Sequence, residues 1–400
     1  MTESFYREGP GSRWTPDPTR MRQAALALLS AGFYVGLAGA LLPLLATHFT
    51  VSAAVALEWQ AALLGGTVLG TIVGRWLARL PSGIQAVNSA GVVAAAAALA
   101  ALAIFPGIEP LKFAAALIGL GVGLACVASS YSLDGVLSAG RAASALDLAA
   151  ACFGFGAVCG GVLLIILRQW WPLNQSTGVA AALLLLTALG VRLRGSPPEA
   201  VASAVLTHHW HDMVRPTRVL ISFCLALEAA LWGVAALWLG FYASRVLGTS
   251  PGWSIGLPVL YWAGWVIGRT SMIRATHLGL LRTSAAVAGF GALACLFLAN
   301  TEELSGAVAG ALLLGAASGS MQAIVQSLAG GPDVALRMVG RFFASTVIAA
   351  LFGVTATGLL LQVFGVRSIV WAVALVGALL CVGLVVLAVE ARLSGSPAEA

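Results

Sequence analysis

Long, uninterrupted apolar runs are the feature that most constrains how this chain can fold. Only 9% of its 400 residues are charged and 60% are hydrophobic, whereas about 25% of the residues of a soluble chain are charged. A helix needs about 20 apolar residues to cross a hydrocarbon layer about 30 Å thick. We predict twelve such spans, bounded by charges, prolines and glycine clusters, at 22–46, 55–78, 84–105, 111–133, 142–167, 175–193, 217–245, 253–273, 281–299, 305–328, 335–364 and 367–390. The fold class expected is therefore an all-α membrane protein with twelve transmembrane helices.

The basic residues indicate how these helices are oriented. With the amino terminus placed in the cytoplasm, 17 of the 21 arginine and lysine residues fall in inside segments. The 4 that fall outside are Lys112, Arg168, Arg245 and Arg367. Cytoplasmic segments of membrane proteins carry an excess of positive charge, so we expect both termini in the cytoplasm. The net charge of +6 is then explained by the excess of basic residues in the cytoplasmic segments. Nucleic-acid binding needs a basic patch on a water-facing surface, and none is apparent in the sequence.

An internal repeat divides the chain into two halves of six spans each. The matching segments are GTIVGR (70–75) with GWVIGR (264–269), Gly119 and Gly123 with Gly315 and Gly319, and Gly156 and Gly161 with Gly353 and Gly358. These matches occur in order, at nearly equal offsets of 194, 196 and 197 residues. Membrane transporters are often built from such repeats, with the substrate site near the midplane between them. We therefore expect two pseudo-symmetric six-helix halves.

The resulting domain organisation has five parts. We predict a cytoplasmic amino-terminal tail (1–21), a first six-helix half (22–193), a cytoplasmic linker (194–216), a second six-helix half (217–390) and a cytoplasmic tail (391–400). The basic residues are almost all arginine, which suggests a GC-rich bacterial genome, and helical spans are typical of an inner (plasma) membrane rather than an outer one.

Two motifs resemble signatures of the major facilitator superfamily. GTIVGRWLAR (70–79) resembles the signature G-x-x-x-D-R-x-G-R-[KR], with Gly74 and Leu77 in place of the usual Asp and second Gly. CFGFGAVCGG (152–161) resembles the fifth-span signature G-x-x-x-G-P-x-x-G-G, with Cys152 and Ala157 in place of Gly and Pro. The resemblance implies the major facilitator fold, in which two six-helix halves give alternating access to a central site, and a chain that functions as a monomer.

Three further segments resemble the fucose-permease-like branch of that superfamily. They are SALDLAAACFGFGA (144–157), FCLALEAALWGVAALWLGFY (223–242) and LYWAGWVIGR (260–269). This likeness implies proton-coupled uptake of a sugar-like small molecule, without a cofactor. Proton-antiport efflux of drugs or metabolites stays open, because the fifth-span glycine signature is associated with exporters. An uncoupled facilitator also stays open, because the first span carries no acid.

Glu228 is the single acid in LALEAALWGVAALW (225–238). It follows Arg218 by ten residues, which at 1.5 Å per residue places it about 15 Å into the membrane, near the midplane. An acid at the centre of a transmembrane helix costs roughly 2.5–3.5 kcal/mol on insertion scales. We therefore expect Glu228 to face a cavity or a partner, where it acts in proton coupling, in substrate contact or in a structural hydrogen bond between helices. Proton coupling is the role predicted.

Other polar and aromatic residues at similar depth form a candidate substrate site. Sugar sites combine amide or carboxyl groups with an aromatic platform for the apolar face of the ring, and apolar packing or an interfacial belt is the alternative for the tryptophans. The candidates are Tyr34, Tyr131, Trp232, Tyr261, Trp265, Gln322 and Gln326. Gln322 and Gln326 are four residues apart and so share a helix face, where they could equally form interhelical hydrogen bonds.

Four charged residues near the cytoplasmic ends of spans are gating candidates. They are Arg75, Arg79, Asp147 and Arg269. The repeat places Arg269 opposite Arg75, and Asp147 could pair with Arg141 or Arg337. Positive-inside anchoring is the alternative for the arginines, and a favourable interaction with the helix dipole is the alternative for Asp147.

Enzyme and metal-protein interpretations have little support in the sequence. It contains no Walker loop, no G-x-S-x-G elbow and no H-E-x-x-H motif. The one metal-like cluster is HHWHD (208–212), in the predicted linker, and we do not expect it to bind a metal specifically. The expected partners are a small-molecule substrate, a proton and the lipid bilayer.

Overall fold

The computed structural model of the chain describes residues 18–48, 52–80, 83–105, 107–134, 142–192, 215–275, 280–328, 350 and 353–393. For some residues within these helices, Asp147 and Gln326 among them, only the backbone is described. Every regular element in the described part is an α-helix. The predicted linker 194–216 and the HHWHD segment lie outside the described residues, except for the first two residues of a helix that begins at Arg215.

Twelve helices occur in the described residues, and we number them in chain order. They are α1 (Pro18–His48), α2 (Ala53–Leu77), α3 (Gly83–Ile104), α4 (Ile108–Asp134), α5 (Ala142–Trp170), α6 (Leu173–Arg192), α7 (Arg215–Arg245), α8 (Pro251–Ala275), α9 (Leu280–Asn300), α10 (Leu304–Leu328), α11 (Gly353–Phe364) and α12 (Ser368–Leu393). Eleven of them begin and end within four residues of a predicted span. Most of the first part of the remaining span, 335–364, lies outside the described residues.

Nine of the described helices are long and apolar enough to cross a membrane. The other three are α6, whose apolar part is Leu173–Leu186, α11, which is described over Gly353–Phe364, and α8. α8 is long enough, but it carries Pro258 and Arg269 within its length. The all-helical, membrane-spanning class predicted from the sequence is thus confirmed, and within the described residues nine of the twelve predicted spans are confirmed by length and composition.

The outward-facing surface of the bundle is apolar, as expected of a protein in contact with lipid. Monomeric soluble proteins rarely expose large contiguous apolar patches, yet many large hydrophobic side chains here are more than half exposed. Those nearest the helix ends include Phe105, Phe113, Trp170, Phe364 and Trp371. Trp and Tyr are enriched at membrane–water interfaces because their rings are apolar but carry a polar group, and Trp170 and Trp371 fit such positions.

Glycines allow several pairs of helices, among them α1 with α5, α2 with α4 and α8 with α10, to approach with their backbones nearly in contact. At the crossing of α8 and α10, a Cβ on Gly264 would overlap the carbonyl oxygen of Leu312, and a Cβ on Gly315 would overlap that of Tyr261. The crossing of α2 and α4 has the same character, with Gly66, Gly70, Gly119 and Gly123 each against the backbone of the opposite helix. Small residues give membrane helices close van der Waals packing, which stabilises their association where lipid removes the hydrophobic drive.

Most helix packing occurs within two sets, α1–α6 and α7–α12. The two sets meet where α5 packs on α8 and where α1 packs on α7 and α8. Several of these contacts lie toward one end of the bundle, where α1, α5 and α7 finish and α2 and α8 begin, and we call it the distal end. There Gly240 lies close to Pro43 of α1 and to the carbonyl oxygen of Ser254 of α8.

A buried hydrogen bond also joins the two sets toward the distal end. The amide Nε2 of Gln60 in α2 donates to the carbonyl oxygen of Leu237 in α7 at 3.2 Å. Gln60 is fully buried. Its Oε1, and the indole nitrogens of the buried residues Trp59 and Trp238, have no hydrogen-bond partner in the described part of the chain.

Replacing Gly264 with alanine tests the close crossing of α8 and α10. The added methyl overlaps the Leu312 carbonyl, and overpacking of this kind costs typically 1–3 kcal/mol. We expect Gly264→Ala to lower the thermal unfolding midpoint of the purified protein in detergent. Gly289→Ala in α9 is the control, because a Cβ there has nothing within 4 Å, and it should be neutral or slightly stabilising. Equal effects of the two substitutions would contradict the described crossing.

Candidate functional site

Glu228 lies in α7 and is 1% exposed. Its Oε2 accepts a hydrogen bond of 3.3 Å from the Nε2 of Gln322, which lies 94 residues away in α10. The Ser318 hydroxyl, on the same face of α10, and the Trp265 indole of α8 also lie near the carboxyl group. The acid therefore faces the interior of the bundle, as predicted, and meets side chains of α8 and α10.

The amide oxygen of Gln322 binds a buried guanidinium. Arg269 of α8 is fully buried, and its Nη1 donates to the Oε1 of Gln322 at 3.1 Å. The guanidinium carbon also lies 6.0 Å from the ring centroid of Trp265, within the range of a cation–π interaction. Glu228, Gln322 and Arg269 thus form a continuous acid–amide–guanidinium network across α7, α10 and α8, which we call the polar network.

The close crossing of α8 and α10 is what brings these groups within reach. Gly319 lies against the backbone of Trp265 and Arg269, one turn before Gln322. A second side-chain bond spans the same crossing, in which the Tyr261 hydroxyl donates to the Ser318 Oγ at 3.1 Å. Both residues are fully buried. Bulkier residues at the glycine positions would separate the helices and so lengthen both bonds.

A cluster of aromatic rings lies on one side of the polar network. Trp262 is the centre of this aromatic cluster, with ring centroids 5.3 Å from Tyr261, 5.8 Å from Trp265, 6.3 Å from Trp232 and 5.4 Å from Phe153. Phe153 belongs to α5, so the cluster is built from both helix sets. Three of these ring pairs meet edge to face, an arrangement that aromatic quadrupoles favour.

Six of the residues singled out in the sequence are brought together here. They are Glu228, Trp232, Tyr261, Trp265, Arg269 and Gln322. The side chains of two others, Asp147 and Gln326, lie outside the described part of the structure. Arg269, expected at the cytoplasmic end of its span, lies inside α8 and is bound within the polar network.

The structure places the remaining candidates elsewhere. Tyr34 is 1% exposed in α1 and its ring lies against Gly121 of α4, inside the first helix set. Tyr131 is 46% exposed, near the carboxyl end of α4. Arg75 occupies the last turn of α2 and is partly buried, whereas Arg79 just beyond the helix is exposed. None of these four has a described contact with the polar network.

Two members of the site were missed by sequence reasoning. Ser318 precedes Gln322 by four residues and so shares its helix face, a spacing that would have identified it. Phe153 precedes Gly154, where a Cβ would come within 2.6 Å of the Trp265 ring. No signal in the sequence indicates that this glycine allows α5 to approach α8.

The chemistry available at this site is that of hydrogen bonding and proton exchange. It holds one carboxyl group, one guanidinium, one amide and hydroxyl groups within a wall of aromatic rings. Among the described residues, no group of three or more His, Cys, Asp or Glu side chains is placed to hold a metal ion. These groups can form hydrogen bonds with a small polar molecule, and the carboxyl group can bind and release a proton.

Tyr261 and Ser318 provide a test of the α8–α10 geometry. A buried hydrogen bond contributes about 0.5–1.5 kcal/mol, and residues in contact show non-additive substitution effects. We expect Tyr261→Phe and Ser318→Ala each to destabilise the protein, and the double variant to lose less than the two losses added together. The measurement is thermal unfolding of the four proteins in one detergent. Strict additivity would show that the two hydroxyls do not interact.

Comparison with known proteins does not provide a family for the chain. No family model matches it, and no curated protein sequence matches it significantly. The function is therefore argued from the residues and the geometry described above.

Proposed function

We propose that the protein is a secondary transporter that moves a small solute across the membrane by alternating access, with two pseudo-symmetric six-helix halves arranged as in the major facilitator superfamily. The observation that carries the proposal is the polar network, buried where α7, α8 and α10 meet and bordered by an aromatic cluster that includes Phe153 of α5. The network lies within the second helix set, on the side where Phe153 of the first set packs against the aromatic cluster, and transporters built from repeats bind substrate and coupling ions near the interface between the repeats.

The energetic cost of the polar network supports a functional role. Ionisable residues within transmembrane segments are expensive to insert, face the bundle interior and mark ion or substrate pathways. Glu228 and Arg269 are both at most 1% exposed. Well-packed apolar residues of similar volume often stabilise a protein as much as a buried ion pair does, or more. Helix packing alone therefore does not require these two side chains.

The contacts between the helix sets support alternating access. They include Gln60 with Leu237 and Gly161 with Val259, both toward the distal end. In the orientation predicted from the arginine and lysine distribution, with both termini in the cytoplasm, this end faces the outside of the proposed bacterial inner membrane. In our proposal the described conformation is closed at the outside, and transport requires these contacts to separate.

We favour a sugar-like solute, whose uptake is coupled to protons. Glu228 is the proposed proton carrier. Gln322 supplies hydrogen bonds, and Trp232, Tyr261 and Trp265 supply an aromatic platform of the kind that the apolar face of a sugar ring occupies. Arg75, Arg79 and Asp147 remain proposed gating residues at the cytoplasmic side, while Arg269 is proposed to act within the polar network. Efflux of amphiphilic drugs is a second candidate, favoured by the size of the aromatic wall around Trp262.

The first test of this proposal is a proton-flux assay in proteoliposomes that contain a trapped pH dye. A panel of sugars, polyols and amphiphilic drugs is added to vesicles with the wild-type protein or with Glu228→Gln. We expect one solute class to drive proton movement in the wild type, and the signal to fall to the level of protein-free vesicles in Glu228→Gln, because an amide cannot release a proton.

The matched control is Glu303→Gln, since Glu303 is an exposed acid outside the polar network, and it should keep the wild-type signal. A proton signal driven by drugs, in the direction expected of drug–proton exchange, would favour efflux as the function in place of sugar uptake. Solute flux without a proton signal in any protein would identify an uncoupled facilitator. Absence of both fluxes in the wild type across the panel would count against transport of these solute classes.

A cross-link between the helix sets tests alternating access. A Cβ on Gly161 of α5 lies 3.8 Å from the Cβ of Val259 of α8, which equals the mean Cβ–Cβ distance of disulfides. In a background with the native cysteines replaced, we expect oxidation of Gly161→Cys/Val259→Cys to reduce transport at least about tenfold. Reduction of the disulfide should restore it.

The control cross-link joins two helices of one set. A Cβ on Gly178 of α6 lies 3.5 Å from the Cβ of Ala103 of α3, and both residues are only partly buried. Oxidised Gly178→Cys/Ala103→Cys should transport normally, because these helices move together. Full transport by the oxidised α5–α8 pair, with the disulfide verified by mass spectrometry, would exclude separation at the distal end.

A further inference from the structure

The two oxygens of Glu228 have different environments. Oε2 accepts the hydrogen bond from Gln322. Oε1 is buried and has no hydrogen-bond partner of ordinary geometry in the described part of the chain, although the Ser318 hydroxyl and the Trp265 indole lie near the carboxyl group. A buried polar atom without a partner is unusual in a native protein. This difference indicates that the two oxygens have different roles, one held by Gln322 and the other not held by a described neighbouring side chain.

The chemistry of the neighbouring groups fixes which oxygen is held. A guanidinium only donates hydrogen bonds, so the atom of Gln322 that faces Arg269 must be the amide oxygen. The amide nitrogen then faces Glu228, and it can only donate. The orientation of the amide, which atom types alone often leave ambiguous, is therefore set by Arg269. The carbonyl oxygen of a protonated carboxyl group is a stronger acceptor than its hydroxyl oxygen, so the hydrogen bond from this nitrogen to Oε2 favours placement of the proton on Oε1.

The groups that face Glu228 come from two helices. Arg269 and Tyr261 of α8 are the charged and titratable residues among the described neighbours of the carboxyl group. Ser318 and Gln322 of α10 are its uncharged polar neighbours. Tyr261 donates its hydroxyl hydrogen to Ser318. Gln322 is therefore the neighbour shown to join Arg269 to the carboxyl group by hydrogen bonds.

We infer that Arg269 and Gln322 act together as positioning residues that hold Oε2 of Glu228 and leave Oε1 as the oxygen that carries the exchangeable proton. This inference rests on the proposed proton coupling at Glu228. In the proton-release step, the Oε1–H bond breaks and the proton passes to a water molecule on the side to which the site is open. Glu228 keeps the electron pair as a carboxylate, while Gln322 continues to donate to Oε2. Uptake is the reverse step.

The inference is tested by infrared difference spectroscopy of the full-length protein in lipid bilayers, taken between acidic and alkaline pH. The readout is the carbonyl stretch of protonated Glu228, identified as the band that Glu228→Gln removes. In the protonated acid the carbonyl oxygen is Oε2, and its hydrogen bond lowers the stretching frequency. We expect Gln322→Met to move the band to higher frequency, because it removes the donor.

Arg269 is then tested through a double-variant cycle. If Arg269 acts by orienting the amide, Arg269→Met moves the band in the same direction as Gln322→Met, and the double variant shows no further shift. Arg269→Lys, which keeps a donor for the amide oxygen, should retain most of the wild-type frequency. It also keeps the test valid if Arg269→Met does not fold. Ser320→Ala is the matched control, since Ser320 is buried on α10 but bonds to the Gly268 carbonyl.

Two results would overturn the inference. One is an Arg269→Met shift that persists in the Gln322→Met background, which would mean that Arg269 acts on the carboxyl directly. The other is an unchanged band in both single variants. The proposed function is judged separately by the flux assay. If the infrared shifts occur as expected but no solute drives proton flux, coupled transport alone is rejected. If solute drives proton flux but the infrared shifts are absent, only the positioning roles of Arg269 and Gln322 are rejected.

Discussion

The close crossing of α8 and α10 is the constraint on which the candidate site depends. Without side chains at Gly264 and Gly315, the two backbones come into contact over the turns that carry Tyr261 and Ser318. The same approach lets the short reach of a glutamine amide join Arg269 of one helix to Glu228 of a third. In lipid, where apolar contact brings no hydrophobic gain between helices, this packing replaces the hydrophobic effect as the source of a fixed geometry.

The sequence predicted the elements of this protein better than their contacts. Apolar runs gave the helix bounds within a few residues, because the thickness of the hydrocarbon layer sets helix length. Position along a helix also identified Glu228 and Gln322 as groups at similar depth. Their pairing, and the contact of Phe153 with Trp262, could not be predicted, because they depend on how each helix is rotated about its axis and on which helices are adjacent. Tyr34 and Tyr131 were chosen by depth alone, and the structure places them away from the polar network.

The repeat also shows where the two helix sets differ. At the offsets of 194 and 196 residues, Arg269 corresponds to Arg75 and Gln322 to Cys126, and the first span, the counterpart of the span that holds Glu228, carries no acid. Glycines at the α2–α4 crossing preserve the same close packing as at the α8–α10 crossing. The counterpart of the polar network in the first set therefore keeps the arginine and lacks both the acid and the amide. Both helix sets have a close glycine crossing, whereas the polar network with its buried acid and amide lies in the second set.

The hydrogen bond from Gln60 to Leu237 has a consequence for the balance between conformations. It leaves the Gln60 Oε1 buried and without a hydrogen-bond partner in the described residues. A buried polar group left unsatisfied costs about 1–3 kcal/mol, and a difference of about 1.4 kcal/mol changes a population ratio tenfold. In the proposed transport cycle, separation of α2 from α7 would break this bond, expose the Gln60 Oε1 to water and remove that penalty. In that cycle, one unpartnered amide oxygen would reduce the free-energy difference between the closed and the open conformation, so that the closed form is not too stable to open.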